Sequence, residues 1–202
     1  MIEPEYEFDT AKVSAEHAYR SVKMSLGKIA QTHLESKISQ GDYLQRLIDN
    51  NLLADAMRWI AFTLPARHSV WWGSLCLGEK YRATPPSSTQ VQALAATTHW
   101  VIEPNETTRQ AAEHASNRHA NTDAFRLLAR AAAHREFMLP RPSVMQSQNF
   151  RARAVVGALE LSMVPTDAEQ QEDDAEIKTR HLCLRLGLEV SRGKRPWPRT
   201  TR

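Results

Sequence analysis

Apolar positions fall at helical spacing along most of this chain. The clearest case is Leu53, Ala56, Met57, Ile60 and Leu64, which recur at the intervals of one buried helix face. Trp59 and Phe62 widen that face, so contact on two sides is expected. Pro65 has no amide hydrogen to give to a helix, so it stops this one and can open the next. Val70, Trp71, Ser74, Leu75 and Gly78 continue at helical spacing, with Trp72, Cys76 and Leu77 on the flanks. Two helices joined by so short a link form a hairpin or a sharp corner, and this tryptophan-rich corner is the expected centre of the core.

Upstream, an imperfect stripe of Val13, Ala18, Val22, Leu26, Ile29, His33 and Ile38 predicts a helix over residues 10–40. Gly41-Asp42 is expected to break it, with Asp42 and Gln45 as a capping pair before the short apolar face of Leu44, Leu47 and Ile48. Downstream, Ser87 and Gln90 predict a capped helix through Ile102, and an Ala-rich helix follows over residues 105–120. Asp123 is expected to cap the stripe Phe125, Leu128, Ala129, Ala132, Ala133 and Phe137. The two prolines after Leu139 predict an extended loop to Gln148, and Phe150 to Met163 a helix ended by Pro165. Thr166 with Glu169 predicts the cap of a last, acid-rich helix ending on Ile177, His181, Leu184 and Leu188. No run reads as a strand. The expectation is an all-α, single-domain bundle of about seven or eight antiparallel or orthogonal helices over residues 10–190, after an acidic leader at 1–9 and before a basic disordered tail at 191–202.

Charge and composition narrow the class further. Lys plus Arg number 26 against 23 for Asp plus Glu, a net charge of +3. Five of the bases lie in the last twelve residues, so the remaining body is net acidic and offers no broad phosphate-binding patch. The acidic start lacks the basic and apolar regions of a secretory signal, and the longest uncharged stretch, 83–102, is too polar to span a bilayer. A cytoplasmic protein is expected, with Cys76 and Cys183 as buried free thiols.

Candidate chemistry is sparse. The chain has no phosphate-cradling glycine motif and no nucleophile elbow. Its eight histidines lack zinc spacing: His114 and His119 are five apart, on different helical faces. No metal or cofactor is therefore expected. Glu160, inside an apolar run, could serve as a buried acid of raised pKa, or simply face water. Asp55 reads as an exposed helix residue. Adjacent Trp71 and Trp72 point about 100 degrees apart on a helix, so they serve two different surfaces. That pair, with Arg67 on the same helix and Arg195 and Trp197 in the tail, makes up the candidate partner-binding set.

The run Asp55 to Cys76, with Leu64-Pro65-x-Arg67-x-x-Val70-Trp71-Trp72 at its centre, resembles an uncharacterised bacterial all-helical family. His99-Trp100-Val101, Glu103-Pro104, Arg109-Gln110-Ala111-Ala112 and Arg151-Ala152-Arg153-Ala154-Val155 extend the resemblance over roughly residues 10–190. It departs at Ala133-His134-Arg135-Glu136, where that family tends to have a glycine-containing segment. The resemblance implies association with type VI secretion gene clusters, and so an accessory or adaptor role with a secretion-system or effector component as protein partner. Two other readings stand beside it: a hydrolase-type enzyme with a helix-borne carboxylate or histidine site, and a nucleic-acid binder acting through the basic tail.

Overall fold

The computed structural model describes residues 25–35, 38–118, 123–134, 144–164 and 173–198. Nine helices and no strand occur among them: α1 (Lys28–Thr32), α2 (Gln40–Asp49), α3 (Leu53–Thr63), α4 (Ala66–Lys80), α5 (Ser88–Ile102), α6 (Glu106–Ser116), α7 (Ala124–Ala133), α8 (Val144–Met163) and α9 (Asp173–Ser191). The fold is the all-α bundle expected from the apolar spacing. The acidic leader, the Thr166/Glu169 pair and Phe137 lie outside the described residues.

Local side-chain chemistry sets most helix starts. Ser87 and Gln90 form the reciprocal capping box that α5 was expected to carry. Asp123 accepts from the amides of Phe125 (2.7 Å) and Arg126 (3.2 Å) to open α7. Three expectations need correction. Gly41-Asp42 does not break a helix: α2 starts at Gln40, capped by Ser39, whose Oγ accepts from the Asp42 amide. The stripe expected over residues 10–40 yields only the short α1 within the described part. The extended loop expected up to Gln148 stops earlier, because α8 already begins at Val144.

Helices α4 and α8 form the centre. α4 packs against α5, α7, α8 and α9, while α8 also covers α3 and α7. α3 and α4 touch little, so Pro65 makes a corner and not a hairpin. Trp59 and Trp72 are fully buried on the two sides of that corner. The Trp59 indole donates to the Gln40 carbonyl (3.1 Å) and meets the Tyr43 ring edge-on at 4.7 Å, tying α2 to α3. The Trp72 indole donates to the Cys183 carbonyl (2.8 Å), tying α4 to α9. Two glycines allow close helix approach: a Cβ on Gly73 would sit 2.6 Å from Leu128, and one on Gly187 would sit 2.9 Å from Ile60 and 3.1 Å from the Trp72 Nε1.

Three arginines bind helix ends together. The last carbonyls of an α-helix lack internal donors and carry partial negative charge, which a guanidinium satisfies. Arg67 on α4 donates to the Val101 and Ile102 carbonyls at the end of α5. Arg109 on α6 donates to the Ala133 carbonyl (2.8 Å), and Arg151 on α8 to those of Ala131 (3.2 Å) and His134 (2.8 Å), all at the end of α7. Arg109 and Arg151 are buried.

Candidate functional site

Four of the five residues singled out from sequence meet at one place. Helix α9 ends in a Schellman turn: Gly193 adopts φ +66, its amide donates to the Val190 carbonyl (3.1 Å), and the Lys194 amide donates to the Glu189 carbonyl (2.9 Å). Glycine takes this left-handed backbone without a steric penalty, and the turn sends the chain toward α4. The Trp71 indole then donates to the Arg195 carbonyl (2.7 Å), and the Arg195 guanidinium pairs with Glu189 (2.7 Å). Trp197 lies between two α4 side chains: the Arg67 guanidinium is 4.0 Å from its ring centre, and the His68 ring meets it edge-on at 5.0 Å. Residues 192–198, the described part of the segment expected as a disordered tail, thus meet α4 through Arg195 and Trp197, with Trp197 half-buried.

Arg67 holds this arrangement to the bundle. Its nitrogens bond the end of α5 while its flat face supports the indole, so one side chain does both jobs. Partial burial lowers its pKa from the usual arginine range. His68 is also shifted down, first by burial and then by the neighbouring Arg67 charge, and its Nδ1 is buried without a hydrogen-bond partner. The clasp thus combines an imidazole whose charged form is disfavoured, a guanidinium and two indoles. Its cation–π contact contributes about 0.5–1 kcal/mol. Its indole hydrogen bond adds about 0.5–1.5 kcal/mol.

Trp72, the fifth residue, faces the other way. It is fully buried against α9 and presents no surface to a partner. The 100-degree divergence of the tryptophan pair holds, with one member in the core and the other under the C-terminal segment.

Glu160, the acid candidate, and three further carboxylates are held in ion pairs. Glu160 accepts from Arg58 (2.7 Å), joining α8 to α3, and borders a cleft of about 410 Å³ with Phe62, Val156 and Arg153. Asp55 is buried, contrary to its reading as an exposed residue, because it accepts from the Gly27 amide (2.8 Å) and from Arg58 (3.2 Å). Glu106 and Glu113 flank Arg109, and their hydrogen bonds, led by Glu106, raise its pKa further. Among the described residues no group of three His, Cys, Asp or Glu side chains is placed to hold a metal ion. Cys76 and Cys183 are free, buried and in contact; burial, then the hydrogen bond between them, raises the Cys76 thiol pKa.

Sequence reasoning missed the helix-end role of Arg109 and Arg151. The available signal was an arginine inside an otherwise small and apolar run, as in Arg151-Ala152-Arg153-Ala154-Val155.

No helix among the described residues is long and apolar enough to cross a membrane. No curated protein and no solved structure matches the chain. A family model does match, over residues 43–190, from α2 to near the end of α9. The chain belongs to the family of unknown function DUF6931.

Proposed function

We propose that this protein is a non-enzymatic helical interaction module, acting in the bacterial cytoplasm as an accessory or adaptor of a type VI secretion system. The observation that carries the binding part is the convergence of Arg67, Trp71, Arg195 and Trp197 on one half-buried surface of α4. Aromatic rings with an arginine, ringed by exposed polar groups, are the composition of an interface hot spot. The carboxylates support the same reading: Glu160 joins α8 to α3 through Arg58, Asp55 pairs with that arginine, and Glu106 and Glu113 pair with Arg109 on their own helix. The secretion-system assignment is supported by the sequence resemblance around Leu64 to Trp72.

Affinity capture of the tagged full-length protein from its native cells, with quantitative mass spectrometry, tests this reading. Enrichment of a type VI spike or effector component over an untagged control is expected. Capture without any secretion component would refute the assignment.

A further inference from the structure

The α4 surface already holds a peptide, and its chemistry defines what else can bind there. Pro196, Trp197 and Pro198 follow the Schellman turn without regular secondary structure, and Trp197 lies against α4. The contacts to that segment are of two kinds. Trp71 reads a backbone carbonyl two residues before the tryptophan, at Arg195. Arg67 and His68 hold the indole itself, one over its face and one at its edge. The Arg195–Glu189 pair engages a second tail side chain, but Glu189 belongs to α9, not to the α4 face. Any segment that places an indole two residues after a free carbonyl can make these contacts. Flanking prolines bias the residues before them toward extended backbone and reduce the ordering entropy on binding.

We infer that the Arg67–His68–Trp71 face of α4 is a receptor groove for a proline-flanked tryptophan segment, and that residues 194–198 occupy it as a built-in competitor. This deepens the interaction-module reading and rests on it for the biological partner. The partner carries an exposed Trp in an extended, proline-containing stretch, and it binds by displacing Trp197. The tail competes at a high effective concentration because Gly193 joins it directly to α9. Displacement leaves Arg67's hold on the α5 end in place.

A fluorescently labelled peptide of residues 192–202, titrated against full-length proteins and read by anisotropy, tests this. The Trp197→Ala protein is expected to bind the peptide at least ten times more tightly than the wild type does. A peptide with Trp197 replaced by Ala should lose that binding. Adding Trp71→Phe to the Trp197→Ala protein removes the indole donor and should weaken peptide binding about fivefold, the worth of one hydrogen bond. Far-UV circular dichroism checks that both variants keep the helical fold. Equal binding to wild type and Trp197→Ala, absence of binding to Trp197→Ala, or undiminished binding of the Trp-free peptide would each overturn the inference. A failed titration alongside successful capture of a secretion component removes the groove and leaves the adaptor reading; the opposite pair of results removes the adaptor reading alone.

Discussion

At the residue scale, arginines supply the donors that helix ends lack. Arg67, Arg109 and Arg151 each reach the orphan carbonyls at the end of another helix. A buried carbonyl left without a donor costs about 1–3 kcal/mol, so these side chains fix helix ends that short loops alone would leave unsatisfied. His68 adds a titratable element to the same surface. Its folded pKa lies below the ordinary histidine value of about 6.5, so the unfolded chain binds the extra proton more readily. Its contribution is complete above that value and is lost as the pH falls through and below it. Thermal unfolding at pH 7.5 and pH 5.5 should show a smaller acid-induced loss of stability for His68→Gln than for the wild type. An equal loss in both proteins would show that His68 is not the group responsible.

At the element scale, two glycines in helices make opposite predictions. Alanine is favoured over glycine in a helix by about 1 kcal/mol. Gly78 on α4 has open space where a Cβ would go, so Gly78→Ala should raise stability by about 0.5–1 kcal/mol. On α9, a Cβ at Gly187 would press on the Ile60 Cγ2 and on the indole nitrogen that bonds Cys183. Overpacking of that kind costs about 1–3 kcal/mol, which outweighs the propensity gain, so Gly187→Ala should lower stability. Urea unfolding of both variants checks the pair; stabilisation by Gly187→Ala would mean that α9 packs less tightly on α3. The same scale shows what was legible in the sequence. Capping pairs at Ser87 and Asp123 could be found because the cap and its amides are neighbours along the chain. The cap at Ser39 was missed because Gly41-Asp42 looked like a breaker, yet a glycine is tolerated in the first turn of a helix. The early start of α8 was missed because the prolines nearby argued for an extended chain.

At the scale of the whole molecule, the distinction between core and surface tryptophans could not be read from spacing. Trp71 and Trp72 are adjacent, and only the placement of α9 decides which of them it buries. Asp55 was misjudged for the same reason: its partners, Gly27 and Arg58, include one 28 residues away. Arg67, Trp71, Arg195 and Trp197 were legible as a set of residue types, but their assembly depends on the turn at Gly193. That assembly places the proposed function on one face of α4, and a photo-crosslinker tests it directly. With p-benzoyl-phenylalanine in place of Trp71, irradiation of native cells should give an adduct between this protein and a type VI secretion component. The same group at Val91, an exposed position on α5, should not. Adducts of equal yield from both positions, or none to a secretion component from position 71, would contradict the account.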